Sequence, residues 1–151
     1  MQKKFFSILF MFVFIFTLTI PVKASSFDVE HLPNGDYIVS EISPISSDIS
    51  LLSSTVTKTK TSTYYTSDNV KCWSVSVTGT FTYGNGSSSC KSASCSTSVY
   101  NSSWSTGSRK SSKSGNKATA SAIGERYSNG KVVQTVSRSV TLTCSSTGQF
   151  S

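Results

Sequence analysis

Few side chains in this 151-residue chain could do chemistry, and their placement limits what that chemistry is. There is one histidine, His31, with seven acids and four cysteines, against an abundance of Ser and Thr. A serine triad needs an imidazole oriented by a carboxylate. His31 sits in an acidic N-terminal stretch away from the body of the chain, and serine is so common that a Ser near it carries no information. His31 is expected as a solvent-facing strand residue. Glycoside hydrolysis needs two carboxylates facing one cleft. Between residues 49 and 151 only Asp68 and Glu125 are available, and Asp68-Asn69 reads as a turn. No Gly-rich phosphate loop occurs, since the glycines fall singly or in turns. The expectation is a non-enzymatic protein with no catalytic residue, no metal and no cofactor.

The cysteines are Cys72, Cys90, Cys95 and Cys144. A zinc site would favour CxxC pairs with His support. Here the close pair is Cys90-x4-Cys95, with no His nearby. Four cysteines in a small exported chain instead predict two disulfides, which leave no thiol nucleophile. Three connectivities are open. The preferred one pairs Cys90 with Cys144, tying the final strand to a central hairpin, and Cys72 with Cys95.

The remaining candidate is electrostatic. Ser105–Lys117 reads STGSRKSSKSGNK, and its Arg109, Lys110, Lys113 and Lys117 are expected on a flexible, exposed loop. Lys58, Lys60, Lys71 and Lys91 add charge elsewhere. Such a patch attracts polyanions in a salt-sensitive way. Most aromatics, Trp73 above all, are expected to pack a core. Trp104, flanked by serines beside the basic stretch, is the candidate exposed aromatic. Two N-glycosylation patterns, Asn85-Gly-Ser and Asn101-Ser-Ser, are of the kind that chance supplies in a serine-rich chain.

The elements that position these groups are strands. From Trp73 to Tyr83, odd positions are apolar or Gly and even positions carry hydroxyls. Only a half-buried strand puts alternate residues on opposite faces. Threonine suits the wet face because its branched Cβ fits the pleat. Further strands are expected at Thr55–Tyr65, Ser92–Tyr100, Lys117–Tyr127 and Lys131–Cys144. In the last of these, Val132, Val136, Val140 and Leu142 share a face that Gln134 and Arg138 interrupt. Asn34-Gly35, Asn85-Gly86 and Asn129-Gly130 mark turns, because Asn and Gly tolerate positive φ. The first folds Phe27–Leu32 back on Asp36–Ile42, and the second is expected within a longer loop, Gly84–Ser89. The pattern predicts an all-β fold, an antiparallel Ig-like sandwich, with a small barrel as the alternative.

The N-terminus carries a different signal. Lys3 and Lys4 precede the apolar run Phe5–Ile20, and Val22-Lys23-Ala24 is a small-x-small cleavage site. This is signal-peptide architecture. The run has 16 residues, whereas a membrane span needs about 20, so cleavage is favoured over a retained tether. Three regions are expected: a signal peptide, 1–24; an acidic segment with a Ser/Pro-containing linker, 25–54; and a disulfide-bonded β domain, 55–151. Residues 25–48 hold five acids and no Lys or Arg, whereas 49–151 hold 11 basic residues and two acids, formally +9. The acidic head is either charge balance or a propeptide that masks the basic body.

The stretches KCWSVSVTGTFTYGNGSSSC, SKSGNKATASA and KVVQTVSRSVTLTC resemble those of small secreted Ser/Thr-rich proteins of Gram-positive bacteria that carry no assigned function. The resemblance covers about residues 55–147. It implies a bacterial extracellular protein with a β-fold, and no catalytic residue is carried over from it. The expected partners are then an anionic cell-wall polymer, an anionic membrane surface or an acidic glycan, and nucleic acid is disfavoured by the export signal. The expected function is a secreted binding or surface-interaction module. The alternative is an antimicrobial or toxin-like protein with an acidic pro-segment.

Overall fold

The computed structural model describes residues 27–43 and 54–151. The expected signal peptide and nearly all of the expected linker lie outside the described residues. Eight strands are present: β1 (Phe27–His31), β2 (Tyr37–Ile42), β3 (Ser54–Tyr65), β4 (Lys71–Gly84), β5 (Ser87–Val99), β6 (Trp104–Ser114), β7 (Lys117–Ser128) and β8 (Lys131–Thr143). They form two antiparallel sheets, ordered β1-β2-β3-β4-β5 and β6-β7-β8. Hydrogen-bonded neighbours are consecutive in sequence throughout, so the fold is two packed meanders without Greek-key crossings. Neither sheet closes into a barrel, and the described residues contain no helix.

The core follows from the alternation in β4. Trp73, Val75, Val77 and Phe81 are all fully buried. Across from them β7 presents Ala118, Ala120, Ala122 and Gly124, small groups that leave room for large ones. A Cβ at Gly124 would run into the Trp73 indole. At Gly79 it would come within 2.5 Å of the Phe81 ring and 2.9 Å of Ala118. These glycines are thus packing partners of aromatic rings. Val140 and Leu142 close the core from β8. Burying each Val, Leu or Phe side chain is worth about 1.5–3 kcal/mol.

The wet faces are hydroxyl ladders. Thr57 pairs with Thr80 at 2.9 Å, Thr59 with Thr78 at 2.8 Å and Thr61 with Ser76 at 2.8 Å, each across the β3–β4 register. On the second sheet Thr119 and Thr141 do the same at 3.0 Å. Cross-strand pairs of this kind contribute roughly 0.2–1 kcal/mol each.

The turns are tighter than expected in two places. Asn85-Gly86, with φ of 51° and 76°, joins β4 directly to β5, so the expected loop Gly84–Ser89 is a two-residue hairpin turn. The expected basic loop is strand β6. It is paired to β7 by Lys110↔Ser121 through Ser114↔Lys117 and returns through Gly115-Asn116, with Gly115 at φ 55°. Asn129-Gly130 makes the expected turn, with φ of 51° and 73°.

The acidic hairpin β1–β2 extends the larger sheet, pairing along β3 from Tyr37↔Tyr65 to Ile42↔Lys60. A buried carboxylate helps to lock it. Asp36 accepts hydrogen bonds from Tyr64 Oη, from Asn34 Nδ2 at 2.6 Å and from the Ser67 N–H at 2.9 Å. Gln134 of β8 donates to Tyr64 Oη at 2.9 Å, which carries the network into the second sheet. Burial raises the Asp36 pKa, but the donors around it outweigh that effect and hold it below the usual carboxylate value. Burial and the Asp36 charge push Tyr64 up to about 12. At the other end of the sandwich the tail folds back. Thr143 and Ser151 exchange main-chain hydrogen bonds, and Phe150 meets Phe81 edge-on at 5.4 Å.

Candidate functional site: a basic edge and an open end

The four cations singled out by sequence come together on one edge. Arg109, Lys110 and Lys113 lie on β6, and Lys117 opens β7 across the Gly115-Asn116 turn; all four are exposed. β6 is an edge strand of its sheet and packs beside β5, where Lys91 adds a fifth exposed cation. Lys113 Nζ donates to the Lys91 carbonyl at 2.8 Å. Among the described residues none of the four meets a carboxylate. Ser108 sits at φ 50° inside a bulge between Gly107 and Lys110, which twists this edge. Lysines and a bulge are what keep an unpaired edge soluble. They also give the chain a row of cations on an ordered backbone. Two of the other sequence cations differ in setting: Lys58 is buried on the inner face of β3, and Lys71 lies 3.9 Å over the Tyr100 ring.

The acids gather elsewhere. Asp28 and Glu30 are on β1 and Glu41 is on β2, at the opposite flank of the five-stranded sheet. Four interstrand spacings of about 4.8 Å separate β1 from β5, roughly 19 Å. Glu30 pairs with the half-buried Arg138 of β8 at 2.7 Å, and that hydrogen bond lowers its pKa. Glu30 is largely exposed, so the pair stabilises by less than about 1 kcal/mol. His31 is exposed on β1, as expected.

The expected disulfides are not formed. Cys72, Cys90, Cys95 and Cys144 are all free thiols. Cys95 stands opposite Val77, five residues along β4 from Cys72. That offset is about 16 Å, far beyond the roughly 7 Å Cα separation a disulfide allows. Cys90 and Cys144 lie at the same end of the sandwich, their N–H groups bound to the adjacent carbonyls of Gly115 and Asn116. Each thiol, however, donates to a main-chain carbonyl, Cys90 to Ser92 at 3.2 Å and Cys144 to Ser145 at 3.4 Å. Burial raises the pKa of Cys72, Cys90 and Cys144, which keeps them protonated and poorly nucleophilic at neutral pH. Among the described residues no cluster of His, Cys, Asp and Glu is placed to hold a metal.

Trp104 is a second correction. Its indole is 5% exposed and packs on Tyr64 with ring centroids 5.2 Å apart. Among the described residues the exposed aromatics are Phe27 on β1 and, together at one end of the sandwich, Tyr100 and Tyr127. There the turns after β3, β5 and β7 surround an open pocket of about 400 Å³, with Trp104 in its wall beside Asp68, Asn101, Ser103, Arg126 and Tyr127. Sequence reasoning missed this pocket because its residues come from the β3–β4 turn, the β5–β6 turn and the end of β7, segments far apart in the chain that no single motif joins. The one available signal was that Asn101, Trp104 and Tyr127 all flank turns. Comparison with family models, curated proteins and solved structures finds no match for this chain.

Proposed function

We propose that this chain is a secreted, non-enzymatic binding module whose basic β6 edge engages anionic polymer at the bacterial cell surface. Wall polymer is the leading partner, with anionic membrane and acidic glycan as related surfaces. The observation that carries the reading is the row Arg109, Lys110, Lys113 and Lys117, exposed on an edge strand and facing no carboxylate among the described residues. The two packed antiparallel sheets are compatible with a binding module of the sandwich kind, although their meander order departs from the Greek-key order of the expected immunoglobulin-like fold. The N-terminal apolar run supports export.

The test is binding of the exported protein to anionic vesicles or purified wall polymer across a salt series. A cation near an anionic surface is worth about 1 kcal/mol. Replacing all four with Gln is therefore expected to weaken binding by roughly two to three orders of magnitude. Salt-independent binding, or binding that survives the four replacements, would remove β6 from the account.

The antimicrobial alternative needs the acidic head to detach. The β2–β3 ladder from Tyr37↔Tyr65 to Ile42↔Lys60 and the Asp36–Tyr64–Gln134 network weigh against a detachable mask. The 19 Å between flanks, more than two Debye lengths of about 8 Å, also weighs against it. An intact-mass measurement of the exported protein separates the readings, since a pro-segment would be missing from the mature mass.

A further inference from the structure

We propose that the open end of the sandwich is a second binding site, for a neutral oligosaccharide, separate from the basic edge. The pocket there falls within the 300–1,000 Å³ usual for small-molecule sites. Its polar groups are set up for a polyol. Asn101 Oδ1 is taken by the Ser103 N–H at 2.9 Å and the Ser103 hydroxyl at 2.7 Å, which turns the amide so that Nδ2 has no acceptor among the described residues. The side chains of Asp68 and Arg126 likewise have no hydrogen-bond or ion-pair partner there. The site thus offers an uncommitted acceptor and two sets of uncommitted donors, the mixture that adjacent sugar hydroxyls require. The charges of Asp68 and Arg126 cancel, which favours a neutral ligand over the polyanion suited to β6.

The apolar side of a sugar needs a face, and the structure has one. Tyr127 is 38% exposed in the pocket wall, its hydroxyl held by Glu125 at 2.9 Å and its N–H by the Ser103 carbonyl at 2.7 Å. A ring fixed at both ends is a preorganised stacking surface. Val70, Val99, Tyr100, Val132 and Val133 are also exposed at this end. Apart from Phe27 and Val29 of β1, the large exposed apolar side chains of the described residues gather here. Such a concentration marks a contact surface. The pocket is lined mostly by side chains of turns and strand ends, which suits a compact ligand better than an extended peptide that needs a length of free strand edge to pair with.

The test is a titration of the full exported chain with the β-1,4-linked trimer of N-acetylglucosamine and with maltotriose, followed by NMR amide shifts. The expected result is saturable shifts for at least one sugar, centred on Asp68, Asn101, Arg126 and Tyr127. Tyr127→Ala is expected to weaken that binding by about 5-fold. Asp68→Asn, an isosteric change at an exposed turn, is expected to weaken it by about 10-fold without altering the fold. Asp68→Asn decides the matter if Tyr127→Ala does not fold. The variant lacking the four β6 cations is expected to bind the sugar unchanged, which separates this site from the basic edge. No shift with either sugar, binding indifferent to Asp68→Asn, or binding lost with the β6 cations would each overturn the proposal. So would a short peptide that fills the pocket when the sugars do not.

Discussion

Strands β4 and β6 draw on much the same residues, Ser, Thr, Gly and a tryptophan, but β4 buries Cys72, Trp73, Ser74, Val75, Val77, Gly79 and Phe81 while β6 buries Trp104 alone. β4 is an interior strand, paired on both sides, and faces β7, so every second residue must be apolar or small. β6 is an edge whose inner positions Ser111 and Lys113 pair with Ala120 and Ala118 and reach the rim beside β5. β4 is therefore held by its side chains. β6 is held by its backbone, through the β7 ladder and the Gly115-Asn116 turn. Only the second kind of strand is free to spend its side chains on charge.

The comparison is broken most directly by placing a charge on the inner face of β4. Val77→Asp or Phe81→Asp would bury a carboxylate without a partner, at several kcal/mol, comparable with the stability of a domain this size. Circular dichroism is expected to show an unfolded chain, whereas Thr78→Asp and Thr80→Asp fold. If both faces tolerate Asp, the half-buried account of β4 is wrong. Next in size is Gly124→Ala, which forces the Trp73 indole off its seat on β7. Overpacking of this kind costs about 1–3 kcal/mol, to be read as a lower midpoint in urea.

Tyr64→Phe removes the link between Asp36 and Gln134, with an expected loss of about 1–3 kcal/mol at neutral pH. The Asp36 pKa is lowered from 3.8 in the folded chain, so its contribution is present above that value and lost as pH falls through the lower folded value. Tyr64 is raised from 10.0 to about 12, so its contribution is present below pH 10 and lost as pH rises towards 12. Thermal melts across pH are expected to show both losses in the parent and a flatter alkaline limb in Tyr64→Phe. The smallest effect is reserved for β6. Ser112→Asp or Lys110→Gln is expected to shift stability by less than about 0.5 kcal/mol. A large loss there would show that β6 is held by its side chains after all.

This contrast explains what could be read in the sequence. β3, β4, β7 and β8 were legible because burial on one face imposes a period of two. The sequence of β6 resembles a loop because no face of it is buried beyond Trp104, and serine with lysine is the composition of solvent-exposed coil. The Gly115-Asn116 pair between Ser114 and Lys117 was the one local sign of a hairpin. The burial of Trp104 is not legible locally, because its serine neighbours say nothing about Tyr64, 40 positions earlier, on which it packs. The basic cluster was legible as composition, and its order on an edge strand was not. The pairing of Cys72 with Cys95 failed on register, which is set by the Asn85-Gly86 turn and the bulge at Thr80/Phe81.

The separation of acids on β1 and β2 from cations on β6 has a consequence for how the molecule meets a surface. In the field gradient beside an anionic layer the two flanks are pushed in opposite senses, so the protein feels a torque as well as an attraction. On the proposed reading it would turn until the β6 edge leads and the Asp28–Glu30 flank trails. Its strands then lie parallel to the layer, and the turns around Asp68, Asn101 and Tyr127 point sideways along it. A chain running over the surface would meet that end directly, without the protein having to let go.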